Sequence, residues 1–481
     1  MSRFVFAASW VFALGCNTVK TETIDHTVTE TYAKPADCTG QKGCITTAVG
    51  TGIHALGADD VEAWQSDLNY PQDVAVSAKG DVYYIDWNDH RVRLLKDGKT
   101  TTVVGSGIIG DVGKGEIPTD AALNHPTGIT FDAAGVLWIA AWHNSKIKKV
   151  DLNKSPLALE EFAGTGGRAF GGDNGPAAKA VFDLPSSLDF GPDGSMYISD
   201  QSNQRIRKID MKTLVVTTAV GSKWVTDTGT KKGKPLLLDD GKTYGIFQCK
   251  FGGTGQGHEA ALNPWAVDLP TPSTTSVCQF DGTQTDKCKK DAAGKPVPLN
   301  LPAPDLCGGF DGDGGPAQAA YLAGPKLQFS YPASRLAIRK DPQTGNAKMY
   351  IADTYNHRIR VVDLSTGATP TIDTIAGNGT AGFAGDGGDA KAAQLNGPTD
   401  VDMLPDGTLL IADKDNHCIR AVKDGKISTY AGVCGQKGYA GDGGAAEKAL
   451  LHEPFGIGVA PDGTLYIADT LNDRVRSVTP K

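Results

Sequence analysis

The sequence predicts an all-β fold, a six-bladed β-propeller whose blades each contain four strands. Three observations predict it: a sixfold internal repeat, an abundance of turn residues, and a last repeat that lacks its fourth strand. The 481 residues include 60 Gly and 26 Pro, which is typical of short strands joined by tight turns.

Each repeat contains a proline-led strand, a turn with Gly, an apolar strand that usually ends in Asp, and a basic strand. The apolar strands carry few polar residues, as expected for blades that are covered on both faces. The repeats open at Asn69-Tyr70-Pro71, Asn124-His125-Pro126, Asp183-Leu184-Pro185, Ser330-Tyr331-Pro332, Asn396-Gly397-Pro398 and His452-Glu453-Pro454.

The fourth strand of each of the first five repeats ends in an apolar residue followed by Gly, and the last repeat has no such strand. The missing pattern occurs near the other end of the chain, in Ile45–Gly50. A strand supplied by the N-terminus would close the ring and remove the open sheet edges of a linear array. We therefore expect residues 45–481 to form one propeller whose last blade is completed by the N-terminal strand.

The interval between the third and fourth repeats is much longer than the others and contains an insertion at 222–309. Residues 255–269 look like the linker and first strand of a further blade, but no apolar strand ending in Asp follows them. We therefore expect six blades, with a degenerate seventh as the alternative. A long insertion in a rigid scaffold is often a place where binding functions reside.

The N-terminal 44 residues precede the propeller. Arg3 is followed by an apolar run at 4–15, which is too short to span a bilayer and suits a secretory signal peptide at 1–15. The run ends in Ala13-Leu14-Gly15-Cys16, which resembles a bacterial lipobox, although Ala13 stands where that motif prefers Leu. The resemblance implies acylation of Cys16 and a polar tether at 16–44; a plain signal peptide cleaved nearby is the alternative.

These features predict an exported protein that is lipid-anchored in the bacterial envelope, at the outer membrane or cell surface. Without acylation it would be periplasmic or extracellular. The formal net charge of −8 argues against nucleic acid as a partner, because nucleic-acid binding requires a basic surface.

Eight cysteines remain after Cys16, and an even number in an exported chain suggests disulfides. The local pairs are Cys38 with Cys44 and Cys278 with Cys288. Cys249 with Cys307 would then close the base of the insertion, and Cys418 with Cys434 would flank one hairpin. Spacing alone leaves the connectivity open, and the absence of CxxC pairs argues against a zinc cluster.

The repeats resemble the NHL repeat family, whose motif here reads Asn356-His357-Arg358-Ile359 and Asn416-His417-Cys418-Ile419. The resemblance covers about 45–481 without the insertion and implies a propeller. The second repeat departs most, since Ala141 replaces the usual Asp and His143-Asn144-Ser145-Lys146 replaces the basic motif.

Two recurring acidic features have structural interpretations. The Asp that ends the second strand and the Arg that follows it are expected to be turn and inter-blade hydrogen-bond partners, because both recur in nearly every blade. Four connectors contain a glycine-acid motif such as Gly312-Asp313-Gly314-Gly315, which turn chemistry explains; calcium at one connector, with Asp311 and Asp313, is the alternative. The recurring residues are Asp86, Asp200, Asp353, Asp413 and Asp469, with Arg91, Arg205, Arg358 and Arg474.

A ligand site is expected at the mouth of the central channel, where the residues around each opening Pro vary between repeats. The candidate binding residues are Tyr70, Asp73, His125, Tyr331, Asp400 and Glu453.

The sequence favours a binding scaffold for protein, peptide or cell-wall glycan partners, attached to the membrane by its lipid anchor and without a metal or other cofactor. The alternative is a metal-assisted lyase or lactonase with a site in the channel, for which His125 and Glu453 are the candidate catalytic residues. A mainly structural envelope component is a third reading. No linear motif names the ligand.

Overall fold

A computed structural model describes residues 33–111, 117–221, 313–320, 332–341, 344–365 and 369–481, with Gly115, Leu322 and the residue pairs at 277–278 and 298–299. The predicted signal peptide at 1–15, Cys16, Tyr331 and most of the insertion lie outside these residues. The strands are β1 (Cys44–Val49), β2 (Val61–Glu62), β3 (Pro71–Val76), β4 (Val82–Asp86), β5 (Arg91–Lys96), β6 (Lys99–Val104), β7 (Pro126–Phe131), β8 (Val136–Ala141), β9 (Lys146–Asp151), β10 (Leu159–Ala163), β11 (Pro185–Phe190), β12 (Met196–Asp200), β13 (Arg205–Asp210), β14 (Val215–Val220), β15 (Val277–Cys278), β16 (Pro298–Leu299), β17 (Leu336–Lys340), β18 (Ala347–Asp353), β19 (Arg358–Asp363), β20 (Ile372–Ala376), β21 (Pro398–Met403), β22 (Leu409–Asp413), β23 (Cys418–Lys423), β24 (Lys426–Ala431), β25 (Gly444–Ala445), β26 (Pro454–Val459), β27 (Leu465–Asp469) and β28 (Arg474–Val478).

Single-turn 3-10 helices occur in two places, within connectors and directly after second strands. Those in connectors are Ala63–Gln65, Pro118–Asp120, Ala177–Lys179, Ala317–Ala319 and Ala446–Lys448. Those after second strands are Gln201–Asn203, Thr354–Asn356, Lys414–Asn416 and Thr470–Asn472.

Six antiparallel sheets form the blades of a propeller, which confirms the predicted fold. Their first strands contact one another in the cyclic order β3, β7, β11, β17, β21, β26 and back to β3, so the ring is closed. Blade 1 contains β3–β6 with β2, blade 2 β7–β10, blade 3 β11–β14, blade 4 β17–β20, blade 5 β21–β24, and blade 6 β26–β28 with β1 and β25.

The core lies between consecutive blades. Six separate apolar clusters occupy the six blade interfaces, and each combines residues from two neighbouring sheets. Second strands such as Leu409–Asp413 are buried along their whole length. This explains their continuous apolar sequence, because each blade is covered by a neighbour on both faces.

The ring is closed by the strand that the sequence predicted. β1 pairs antiparallel with β28, from Ile45 opposite Val478 to Val49 opposite Val475. The backbone N–H of Gly43 donates to the carbonyl of Pro480 at 3.1 Å, so the two ends of the propeller meet in blade 6. The predicted Cys38–Cys44 disulfide is present at the start of this strand.

The connectors cover the outer edges of the blades. In blades 3 to 6 a residue of the glycine-acid motif donates its backbone N–H to a carbonyl of the outermost strand, as Gly387 does to Ile427 at 2.8 Å. In blade 1, β2 pairs with β6 in the same place. These segments hydrogen-bond to backbone groups of the outermost strands, which would otherwise be free to pair with another chain.

Candidate functional site

The connectors that the structure describes leave and enter the blades on one face of the ring. First strands begin, second strands end and fourth strands end on this face, as the pairing of Pro71 with Asp86 and of Val92 with Val104 shows for blade 1. We call it the connector face. The predicted binding residues Tyr70, His125 and Glu453 each directly precede a first strand and therefore lie on this face.

A buried ion chain repeats in five blades. In blade 3, Asp200 lies 3.0 Å from Arg207 Nη1, and Arg207 Nη2 lies 2.8 Å from Asp173 of the connector. Asp200 also accepts the backbone N–H of Asp183, which precedes the blade. The predicted structural role of the recurring Asp is therefore correct, but its arginine partner lies two residues after the expected Arg205. The same partners in the other blades are Asp86 with Arg93, Asp353 with Arg360, Asp413 with Arg420 and Asp469 with Arg476.

The acid of each glycine-acid motif faces an arginine. Asp313 accepts Arg360 Nη2 at 2.6 Å and the Thr374 hydroxyl at 2.6 Å. Asp386 has the same kind of partners in Arg420 and Thr429. The partners of these acids are side chains of the blade, and Asp386 also accepts the backbone N–H of Thr429. A guanidinium therefore neutralises the carboxylate that the calcium alternative would use; Asp311 lies outside the described residues.

Blade 2 departs from this pattern. Ala141 replaces the buried Asp, and Lys148 replaces the arginine and lies 2.9 Å from Asp111. Asn144 supplies the missing acceptor, since its Oδ1 accepts the backbone N–H of Asn124 at 3.0 Å. The sheet is thus preserved without the buried carboxylate.

The histidine of the NHL-like motif joins consecutive blades. His417 Nδ1 of blade 5 accepts the backbone N–H of Glu453 of blade 6 at 3.2 Å, and His357 does the same for Gly397 at 3.1 Å. His90 accepts the N–H of His125 at 3.2 Å. Burial lowers the pKa of His90 to about 4, which keeps Nδ1 available as an acceptor near neutral pH.

An ion cluster closes the centre of the channel. Arg335, which directly precedes the first strand of blade 4, forms ion pairs with Asp73 of blade 1 and, at 3.5 Å, with Asp400 of blade 5. Its Nη2 donates to the backbone carbonyls of Gln72, at 2.8 Å, and Thr127. The guanidinium therefore bridges blades on opposite sides of the ring.

The surrounding backbone leaves room for this side chain. The position equivalent to Arg335 is Gly456 in blade 6, and a Cβ there would lie 2.8 Å from Arg335 Nη1. Asp73 and Asp400 also accept the backbone N–H groups of Ile129 and Ile457 in the following blades, at 2.8 and 2.9 Å. The cluster thus joins first strands that share no sheet.

Burial dominates the electrostatics of this cluster. It raises the pKa of Asp73, and it raises the pKa of Asp400 to about 8, where the neighbouring Asp73 carboxylate adds to the effect and Arg335 opposes it. Arg339 forms a second layer, 2.8 Å from Asp189 and 2.7 Å from Asp402. Asp73 and Asp400, both predicted as binding residues, are each only 6% exposed.

The other predicted residues lie on the rim. His125 contacts the rings of Trp87, His90 and His143 at centroid distances of 4.5, 4.4 and 4.8 Å, and its Nδ1 is 3.0 Å from His143 Nδ1. Burial, with the neighbouring imidazoles, lowers the pKa of His125 to about 3. His143 stacks on Trp142 at 4.1 Å. We call Trp87, His90, His125, Trp142 and His143 the aromatic–imidazole cluster.

Glu453 and Tyr70 have different surroundings. The Glu453 carboxylate lies 3.5 Å from Lys414 Nζ in blade 5. Tyr70 packs against His54 at 4.3 Å between ring centroids and donates its backbone N–H to Asp473 at 2.9 Å. The rim is therefore asymmetric, with aromatic rings over blades 1 and 2 and charged groups over blades 5 and 6.

The two tryptophans are the feature that sequence reasoning missed. At their position in the repeat, Gln201 accepts the N–H of Ala333 and Thr470 donates to the carbonyl of Pro71. In blades 1 and 2, Trp87 Nε1 and Trp142 Nε1 are buried without a hydrogen-bond partner among the described residues. Comparing the residue after each second strand would have revealed the substitution, because only these two repeats carry Trp there.

Two absences concern the described residues alone. Within them, no cluster of three or more His, Cys, Asp or Glu side chains is arranged to hold a metal ion. No helix in that part of the chain has the length and apolar character needed to cross a membrane.

The geometry defines a six-bladed propeller in which histidine side chains hydrogen-bond from one blade to the next. The NHL repeat family matches residues 395–421. This range covers the end of the connector into blade 5, the first two strands of that blade and most of its third strand. Teneurin-1 of Homo sapiens is 25% identical over 383 residues, covering 75% of this chain and 12% of that protein. Protein SUPPRESSOR OF QUENCHING 1, chloroplastic, of Arabidopsis thaliana is 25% identical over 373 residues, covering 74% of this chain and 30% of that protein.

Solved structures show the same fold. An auxiliary nutrient binding protein from Bacteroides thetaiotaomicron superposes with a TM-score of 0.51 at 14% identity, covering 90% of this chain and 75% of that one. At this identity the likeness concerns the fold. The chain spans less than a third of the length of either curated relative named above.

Proposed function

We propose that this protein is an exported scaffold that binds a protein, peptide or glycan partner on the connector face around blades 1 and 2. The observation that carries the proposal is the local loss of sixfold regularity. Two tryptophans, whose indole N–H groups have no hydrogen-bond partner in the described part of the chain, replace side chains that elsewhere bond within the ring. An unsatisfied buried donor costs about 1–3 kcal/mol. Departures from a repeat that cost stability are expected at functional sites.

The channel closure supports a site on the face rather than along the axis. Arg335, Asp73 and Asp400 fill the centre, which leaves the rim and the connectors as contact surface. The neighbour from Bacteroides described as a nutrient binding protein is consistent with a binding role for this type of scaffold.

The binding proposal is tested with the full mature chain as bait in envelope extracts, using chemical cross-linking and mass spectrometry. We expect Trp87→Ala to lose the specific partner, because it removes the ring that supports His125. Tyr355→Ala is the matched control, since Tyr355 is 43% exposed at the neighbouring repeat position in blade 4. Equal capture by wild type and Trp87→Ala would contradict the proposed site.

Export and acylation form a separate part of the proposal. They rest on the apolar run at 4–15 and on Cys16, and the Cys38–Cys44 and Cys418–Cys434 disulfides suit an oxidising compartment. Palmitate labelling of cells that express the wild type or Cys16→Ser tests the anchor. Equal labelling of both proteins would contradict acylation of Cys16.

The enzymatic alternative uses His125 and Glu453. Their side chains have different partners, His143 for the one and Lys414 for the other. That alternative expects stoichiometric zinc, calcium or manganese in the purified protein and loss of the metal on His125→Ala. Metal-free protein by elemental analysis would exclude this version.

A further inference from the structure

Exposed aliphatic side chains are concentrated in two consecutive connectors. Of ten exposed large hydrophobic residues in the described part of the chain, five lie in the connectors into blades 1 and 2. We call these five the aliphatic patch: Ile53 (38% exposed), Leu56 (57%), Ile108 (66%), Ile109 (58%) and Ile117 (59%). Contiguous apolar exposure of this kind marks interaction sites, whereas single exposed apolar residues need no explanation.

The two connectors lie side by side. Arg91 Nη1 donates to the carbonyl of Gly57 in the first connector at 3.3 Å. Arg91 Nη2 also lies 3.0 Å from the position that a Cβ would take at Gly107 in the second. Leu56 and Ile108 directly adjoin these two glycines in the sequence, so Arg91 brings the two connectors together next to two members of the patch.

The fold does not require these isoleucines. Ile53 and Ile108 follow equivalent glycines, Gly52 and Gly107, and the corresponding positions in the connectors into blades 3, 5 and 6 hold Gly167, Thr380 and Gly435. Small or polar residues thus satisfy the same backbone. The aliphatic side chains therefore serve something other than the propeller itself.

Carboxylates adjoin the patch. The connector at 50–70 contains Asp59, Asp60, Glu62 and Asp67 and no Lys or Arg. Asp59 pairs with Arg93 at 3.0 Å, whereas Asp60, Glu62 and Asp120 are exposed and form no ion pair with any residue that the structure describes. An apolar surface with exposed acids beside it is complementary to a cationic, apolar partner.

We propose that the aliphatic patch and its acidic border dock a basic amphipathic polypeptide segment, one with aliphatic side chains next to Lys or Arg. This inference rests on the binding function proposed above and names the partner's chemistry. The aliphatic side chains would cover Leu56, Ile108 and Ile109, and the cations would reach Asp60 and Glu62 at the edge. Burial of apolar area would supply affinity, and the charges would supply preference among partners.

The test measures binding of three synthetic peptides by fluorescence anisotropy at low salt. One alternates pairs of Leu and Lys, the second replaces Lys by Glu, and the third replaces Leu by Ser. We expect only the Leu/Lys peptide to bind and its affinity to fall at least tenfold in Ile108→Ser/Ile109→Ser. The matched control is Phe383→Ser, which removes a residue that is 51% exposed in the connector into blade 5 and should leave affinity unchanged.

A charge reversal tests the acidic border. Asp60→Lys/Glu62→Lys should lose the Leu/Lys peptide and gain the Leu/Glu peptide. These residues are exposed, so circular dichroism and melting temperature should match those of the wild type. Equal loss in Phe383→Ser, or tight binding of the Leu/Glu peptide by the wild type, would overturn the proposal. Patch-dependent binding to phosphatidylcholine vesicles without peptide binding would assign the surface to lipid and also overturn it.

The proposed function fails differently. Partners captured by the wild type and by Ile108→Ser/Ile109→Ser alike, but lost in Trp87→Ala, would refute the aliphatic patch alone. Absence of any partner whose capture depends on the connector face would refute both proposals.

Discussion

The Cys418–Cys434 disulfide replaces an arginine–glycine contact that is present in blades 1, 4 and 6. Arg358 donates to the carbonyl of Asn378 at 2.7 Å, and a Cβ at the next residue, Gly379, would collide with the Arg358 guanidinium. Arg474 and Gly52 repeat this arrangement in blade 6. In blade 5, the arginine position holds Cys418 and the glycine position holds Cys434, joined by a disulfide.

We therefore predict that Cys418→Arg/Cys434→Gly is more stable than Cys418→Ser/Cys434→Ser. The bridge closes a loop with a sequence separation of 16, for which chain entropy gives about 3 kcal/mol of stabilisation. The serine pair should lose about that amount. The arginine–glycine pair should recover roughly 1–2 kcal/mol of it, because a hydrogen bond from a charged donor returns.

Urea unfolding followed by tryptophan fluorescence and far-UV circular dichroism measures both differences without reductant. Cys38→Ser/Cys44→Ser is the comparison for loss of the other described disulfide. An arginine–glycine variant no more stable than the serine variant would refute the interpretation that the bridge stands in for the repeated contact. Wild-type stability in the serine variant would refute the energetic argument as well.

Three further predictions concern charges inside the ring. Arg335→Met should lower the free energy of unfolding by roughly 3–5 kcal/mol, because the buried acids Asp73 and Asp400 lose the guanidinium that contacts both. Additional Asp73→Asn should recover part of this loss, which chemical denaturation measures. The pKa of Asp400 is raised to about 8 from 3.8, so its contribution to stability is complete below about pH 4 and is lost as the pH rises to 8. Melting temperatures measured from pH 5 to 9 should therefore depend less on pH in Asp400→Asn, and an unchanged pH dependence would count against this contribution. The pKa of His90 is lowered to about 4 from 6.5, so the protein should lose stability as the pH falls from 6.5 to 4. His90→Gln should weaken this acid dependence of the melting temperature. An identical pH profile in the variant would contradict the inter-blade role of His90.

Most of the fold could be predicted because each strand pattern occurs several times, so that an unclear pattern in one repeat is identified from the others. The Pro-led strands, the apolar second strands and the strand at Ile45–Gly50 each follow from a pattern present several times. The two described disulfides were among the predicted pairs, although the spacing left the connectivity open.

The channel cluster could not be predicted because the fourth repeat is out of register with the others. Alignment on Pro332 places Arg335 opposite Val401, whereas the strand pairing of Leu336 with Ile351 and of Val401 with Ile411 places it opposite Asp400. Only the structure puts Arg335 at the height of Asp73 and Asp400. A side chain that crosses the axis also contacts blades that are distant in sequence.

The sequence indicated which residues lie on the rim, but it did not indicate which side chains contact each other there. Tyr70, His125 and Glu453 lie where the opening prolines indicated. The sequence could not show that His125 packs with Trp87 and His143, because ring contacts between blades depend on how neighbouring connectors pack. The aliphatic patch could not be predicted for the same reason, because its first and last members, Ile53 and Ile117, are 64 residues apart in the sequence.

Completion of blade 6 by β1 has a consequence for how the protein matures. β1 precedes the other strands that the structure describes, and its partner β28 follows them all. β1 must therefore wait unpaired while the intervening blades are synthesised, and its closure joins residues about 430 positions apart, a long-range step of the kind that slows folding. Any chaperone or retained partner that holds β1 during synthesis would set the time at which the ring becomes resistant to proteolysis, and premature release would leave two open sheet edges in an unfinished molecule.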